Sequence, residues 1–164
     1  MVASNTIITE RDHSRFMSLL EGLDRDANAR FVFLLDKSGQ QIAAAGEMDQ
    51  VDPTSLASLT AGNVAATEGV AKLVGENGFL TLFHEGKRDS LHISVVADRV
   101  ILLVVFDERS SLGLVRLRVE QYLEPLSAIV VDMLSRPDGP PAGVGDGQPL
   151  GEITEADLDA LFGD

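Results

Sequence analysis

Three histidines, a few acid pairs and one loop arginine are the side chains of this 164-residue chain that could do chemistry. His13 falls in a helical stretch and His84 and His92 in strand-like ones, with no pair at metal-ligand spacing and no HExxH; structural or surface roles are expected of all three. The acid pairs Asp24/Asp26 and Asp107/Glu108 stand at the ends of elements, where caps and turns use carboxylates, so general acid and base work is not expected of them. Arg109 sits in the loop "DERSS" and could be inserted into another protein's phosphoryl-transfer site to stabilise developing charge; the simpler reading is a solvated loop arginine. There is no GxSxG, no GxxxxGK[ST], no GxGxxG between strand and helix, and no cysteine. No activated serine, nucleotide-phosphate cradle, thiolate nucleophile or disulfide framework is therefore expected. The expectation is a protein with no cofactor, no metal and no catalytic site of its own.

The elements that must carry these residues follow from hydrophobic period. Phe16, Leu19, Leu20 and Leu23 recur at helical spacing between Glu10 and Asp26, which predicts an amphipathic first helix. Residues 31–35 and 41–45 flank a turn ending in Gly39 and read as a hairpin. Asp52 and Pro53 form a helix start, a capping acid followed by a proline whose missing N–H is no loss. The helix they open is expected to reach Glu76 and stop at Asn77-Gly78. The segments "FLTLFHE", "DSLHISVVA" and "RVILLVVFD" read as three strands joined by short hairpin links. Strands 31–35 and 99–106 are apolar on both faces and are expected to be central, with 79–84 nearer an edge, where an unpaired strand invites a second chain. Leu112, Val115, Val119, Tyr122, Leu126, Ile129 and Met133 line one stripe of a long last helix, interrupted and expected to be kinked at Pro125.

The fold class is thus α+β: a five-stranded antiparallel sheet with helices on its faces, in the order helix, two strands, helix, three strands, helix. The domain is expected over residues 1–136, followed by a linker at 137–151 and a short acidic amphipathic peptide at 152–164. Positions 136–151 hold four Pro and five Gly, too many breakers for a packed element. Its sixteen residues span about 20–24 Å as a flexible chain. Residues 137–164 carry seven acids and no Lys or Arg, and Ile153, Leu158, Leu161 and Phe162 are the large apolar residues of the last segment.

With a formal charge of −13, the chain should repel nucleic-acid phosphates and anionic membranes, so neither is an expected partner. Its longest apolar run, "VILLVVF", is too short to cross a bilayer. A soluble, cytoplasmic protein that acts through another protein is expected.

The stretch "SLASLTAGNVAATEGVAK", residues 55 to 72, suggests where. On a helical wheel Leu56, Leu59, Val70 and Val74 gather on one side with Asn63 and Thr67, and that side is expected to meet the sheet. Opposite lie Ala57, Ser58, Ala61, Gly62, Ala65 and Gly69, with Glu68, Lys72 and Glu76 as the nearby charges; Ala57, Ala61, Ala65 and Gly69 form an i+4 ridge. Glycines in a helix cost about 1 kcal/mol each relative to alanine. A bare side lets another backbone approach closely, which points to a docking surface for the same helix of a second subunit or for another protein. An Ala-rich face in plain water is the alternative.

The segments "DPTSLASLTAGNVAATEGVAKLVGE", "FHEGKRDSLHISVV" and "VFDERSSLGLVRLR" resemble the Roadblock/dynein light chain superfamily, and within it the bacterial MglB-type branch, over residues 25 to 120. "EITEADLDALF" is similar to the acidic tail of that branch. The resemblance implies a profilin-like Roadblock fold and a homodimer formed by the middle helices and edge strands. It further implies binding of a small Ras-like GTPase, MglA in that branch, in cell polarity and gliding motility, with enrichment at a cell pole. Such proteins supply no arginine finger; they hold the GTPase's switch regions where its own residues orient the attacking water, and so shift its population toward the active arrangement. Carried over by position, Ala65 and Gly69, with Ala61 and Lys72 beside them, match GTPase-contacting sites. Ala57, Ser58 and Gly62 are assigned to the dimer interface. Ile153, Leu158, Leu161 and Phe162 match a tail segment that docks elsewhere on the GTPase and favours nucleotide exchange. Pro125 and the extended linker depart from the family pattern. Two other functions stay open: a passive dimeric adaptor that localises a partner without changing its turnover, and a small-molecule enzyme or sensor, which needs a pocket with convergent polar groups.

Overall fold

A computed structural model describes residues 7–79 and 81–136; the linker and the tail peptide, with Ile153, Leu158, Leu161 and Phe162, lie outside the described residues. The elements are α1 (Glu10–Asp26), β1 (Phe31–Asp36), β2 (Gln41–Gly46), α2 (Pro53–Val74), β3 (Thr81–Glu85), β4 (Ser90–Val96), β5 (Val100–Phe106) and α3 (Leu112–Leu134). Their order is the one expected from hydrophobic period, and the strands form one antiparallel sheet in the order β2-β1-β5-β4-β3. The doubly apolar strands β1 and β5 are interior, and β3 is an outer strand.

The pleat divides the core in two. Val32, Leu34, Leu102, Val104 and Phe106 point to the side covered by α1 and α3, and Phe31, Phe33, Leu35, Ile101, Leu103 and Val105 to the side covered by α2. The alternation of a strand puts successive side chains on opposite faces, so a strand covered on both sides must be apolar throughout. The run "VILLVVF" is buried at every position for this reason.

Local sequence sets the helix starts. Thr9 accepts the Asp12 N–H, while the Asp12 carboxylate accepts the Thr9 N–H at 3.1 Å and the Thr9 hydroxyl at 2.9 Å, a reciprocal cap. Asp52 accepts the Thr54 N–H in front of Pro53. Ser111 caps α3 through the Leu114 N–H, and α3 continues unbroken through Pro125. Tyr122 closes α3 onto α1: its hydroxyl donates to Asp26 at 2.6 Å, directly over Gly22, where a Cβ would lie 2.7 Å from the oxygen.

Strand ends differ from the expectation by one or two residues, and one helix boundary differs as well. α2 stops at Val74 because Gly75 adopts the left-handed conformation (φ 80°) and the Glu76 N–H returns to the Ala71 carbonyl. The expected stop at Asn77-Gly78 comes two residues too late, since the earlier glycine already meets the need for positive φ.

Candidate functional site

α2 is apolar or small almost all round its circumference, so its pattern alone does not say which side goes inward; available space decides. The sheet beneath presents Phe31, Phe33, Leu35, Ile101 and Leu103, and the tip of the β1–β2 turn lies against the helix. A Cβ on Gly39, which has φ +94°, would meet the Ser58 Cα at 3.3 Å and the Ala61 Cβ at 3.6 Å. Only small side chains fit in such a gap. Ala57 and Ala61 are accordingly 1% and 7% exposed, and Thr60, Val64 and Ala71 complete the buried side.

This corrects the helical-wheel expectation for both sides. Ala57 and Ala61 face their own sheet and hairpin turn, so they form no part of an outward ridge. Leu59, Val70 and Val74, expected to be inward, are 74%, 51% and 63% exposed, and Leu73 is 88% exposed. Of the inward group, Leu56 packs partly on the core and Asn63 and Thr67 are half-buried. The reason is that large apolar side chains go inward only where there is volume to receive them.

The remaining site residues do come together outside. Ser58, Gly62, Ala65, Gly69 and Lys72 are all exposed, and a Cβ added at Gly62 or Gly69 would meet nothing within 4 Å. They share the solvent side of α2 with Leu59, Ala66, Val70 and Leu73. Only two charged residues occur in the whole helix, Glu68 and Lys72, and Glu68 is held by Lys37 at 2.9 Å. An outward helix face that combines bare backbone, large apolar groups and Lys72 at its margin, without an ion-pair partner among the described residues, is poorly suited to water and well suited to a protein surface. The sequence reading missed the apolar half of this face; the signal was that α2 has no polar side at all.

β3 borders the same surface. It pairs with β4 alone among the described strands, from Thr81↔Ser94 to Glu85↔Ser90, so its other edge offers free backbone groups. Its side chains are little buried: Phe83 is 40% exposed while stacking on Phe106 with ring centres 6.3 Å apart. His84 Nε2 lies 3.1 Å from Asn63 Nδ2 of α2.

The remaining chemically capable residues are dispersed. His13 is exposed on α1, and His92 is buried on the α3 side of the sheet, where burial and then the charge of Arg116 hold its imidazole below the usual range. Arg109 is occupied by its own chain: Nε meets both Asp107 oxygens at 3.0 and 3.2 Å, and Glu47 lies 3.8 Å away. That loop stands beyond Phe106, at the end of the sheet opposite Lys37. Among the described residues no group of three His, Asp or Glu is placed to hold a metal ion. The cavity under α2, between Val64, Thr67, Leu82 and Ile93, is about 10 Å³, room for no more than a water.

Fold and surface together define a class: a helix–sheet–helix domain whose middle helix has an exposed, largely apolar side next to an outer strand that, among the described residues, pairs on one edge. The chain belongs to the Roadblock/LC7 domain family, whose model matches residues 16–106. It is similar to Myxococcus xanthus MglB, at 48% identity over 80% of this chain and 99% of that one, with a TM-score of 0.76. The gliding protein MglB of Thermus thermophilus is 31% identical over 80% of this chain and 99% of that one, with a TM-score of 0.72. An MglB in a tetrameric arrangement matches at 31% identity over the same shares, 80% and 99%, with a TM-score of 0.74. No curated protein matches the chain.

Proposed function

We propose that this protein is a homodimeric regulator that binds a small Ras-like GTPase and stimulates its GTP hydrolysis by holding the switch regions, without contributing an arginine. The observation that carries the reading is the outward face of α2: Gly62, Ala65 and Gly69 bare, Leu59, Val70 and Leu73 exposed, and Lys72 at the margin. Similarity to MglB proteins supports it, one of them a gliding protein and another in a tetrameric arrangement. The free edge of β3 supports self-association. In this reading the face serves both a second copy and the GTPase, with Ser58 and Gly62 on the dimer side and Ala65, Gly69 and Lys72 on the GTPase side. Arg109 stays with Asp107, so catalysis rests on the GTPase's own residues. The protein acts in the cytoplasm, in cell polarity or gliding motility, and the tail at 152–164 modulates nucleotide exchange.

Phosphate release from an MglA-type GTPase, measured at saturating GTP across a titration of this protein, tests the reading. Acceleration is expected, together with loss of co-elution in Ala65→Arg/Gly69→Arg at unchanged circular dichroism. Binding at saturation with no acceleration would identify a passive adaptor instead. Retained co-elution of the double variant would remove the α2 face from the interface.

A further inference from the structure

The two halves of α2 are held differently. Ala57, Thr60, Ala61 and Val64 bury the first half, whereas from Ala65 to Val74 only Ala71 is fully buried, and the small cavity between Val64, Thr67 and Ile93 lies beneath. With so little apolar contact, polar ties must set the height of this segment above the sheet. Among the described residues two side-chain bonds join α2 to other elements, Asn63 to His84 and Lys37 Nζ to Glu68 Oε1, and only the second is an ion pair.

Lys37 makes a second bond, at 2.8 Å, to Asp98. Both ends of this bridge are built by the backbone. Asp36 Oδ1 accepts the Ser38 N–H and the Gln40 N–H, each at 3.0 Å, which fixes the turn carrying Lys37. Asp98 sits in the β4–β5 turn, where Ala97 and Asp98 have φ of 50° and 56° and the Arg99 N–H returns to the Val96 carbonyl. Ala97 and Asp98 are the two central residues of this turn, and left-handed backbone is unfavourable for alanine. The turn nevertheless holds it and delivers the Asp98 carboxylate to Lys37. Burial opposes the charge on Lys37, but the bonds to Asp98 and Glu68 outweigh it and hold the ammonium above its usual range.

We propose that Lys37 is a positioning residue for partner docking: by bridging Glu68 to Asp98 it fixes the second half of α2, and with it Ala65, Gly69, Lys72 and Leu73, at one angle to the sheet. The inference rests on the function proposed above. Exposed ion pairs add little to global stability, so the effect is local.

Hydrogen–deuterium exchange on the full-length protein without partner reads the clamp directly. In Lys37→Met the amides of residues 66–74 are expected to exchange about 5–10-fold faster, with α1 and α3 unchanged, and Lys37→Arg should restore protection. Titrated into an MglA-type GTPase, Lys37→Met should raise the half-saturating concentration about 5–10-fold and leave the plateau rate unaltered. Equal exchange in wild type and Lys37→Met overturns the proposal, as does faster exchange with an unchanged half-saturating concentration. Should Lys37→Met lose its circular dichroism, Glu68→Gln takes its place with the same two readouts. If the wild-type protein fails to accelerate the GTPase, the functional reading falls, and the exchange comparison alone upholds or removes the clamp.

Discussion

α1 and α2 pack on opposite faces of one sheet and obey opposite rules. α1 buries its largest side chains, Phe16, Leu20 and Leu23, all 0% exposed, and turns Arg11 and Arg25 to water. α2 buries alanines and exposes Leu59, Val70, Leu73 and Val74. Full burial of one such side chain is worth about 1.5–3 kcal/mol, so leaving four of them outside forgoes a large stabilisation within the protomer. The contrast separates two kinds of helix: α1 buries its large apolar side within its own domain, and α2 leaves its larger apolar side exposed, which is the basis of the docking role proposed above.

The sharpest way to break this comparison is to truncate a leucine on each helix. Leu20→Ala is expected to destabilise the fold by about 2–5 kcal/mol, whereas Leu73→Ala should change it by no more than about 0.5 kcal/mol, both read by urea denaturation at a protein concentration where sedimentation shows a monomer. Equal losses would mean that α2 is packed within the protomer after all. A second, smaller effect belongs to the start of α1. Asp12 is fully buried, with Arg136 Nη1 and Nη2 each 2.7 Å from its oxygens. Those bonds pull its carboxyl down to about 2, against desolvation and aided by Thr9. The folded state therefore binds this proton less tightly than the unfolded chain does. The resulting stability is complete above about pH 4 and is lost as pH falls toward 2. Asp12→Asn should cost about 1–3 kcal/mol at neutral pH and flatten the acid limb of the stability profile; an unchanged limb would show that other carboxylates set it. A last, small effect has the opposite sign. Gly69→Ala should stabilise the isolated protein by about 0.5–1 kcal/mol, since its Cβ meets nothing, while weakening GTPase binding. A variant that is both more stable and equally tight would sharpen the map by moving Gly69 off the contact.

Much of this was legible in the residues. The bounds of α1, the Asp52–Pro53 start of α2, the interior places of β1 and β5 and the outer place of β3 follow from period, capping chemistry and two-sided apolarity, all local properties. The buried stripe of α3 also follows, because Val115, Val119, Leu126 and Ile129 recur at steps of three, four and seven. α2 is where local reasoning failed. A helix with both sides apolar gives period no direction, and the usual assumption that large goes inward reversed Leu59 against Ala61. The exposed face is half legible for the same reason: the small residues Ala65 and Gly69 stand out in the sequence and are exposed, while Val70 reads as inward and Leu73 carries no signal of its exposure.

The sequence by itself determined which segments become helix or strand, the order in which they come and the net charge of −13. Those depend on neighbours along the chain, through hydrogen-bonding geometry and side-chain period. Only the tertiary structure decided which side of α2 is exposed and which cation pairs with Glu68. Orientation is a question of volume, set where the Gly39 turn comes close to Ser58 and Ala61 above the apolar floor of the sheet. Lys37, Glu68 and Asp98 meet across separations of 31 and 61 residues, a distance over which local pattern carries no information.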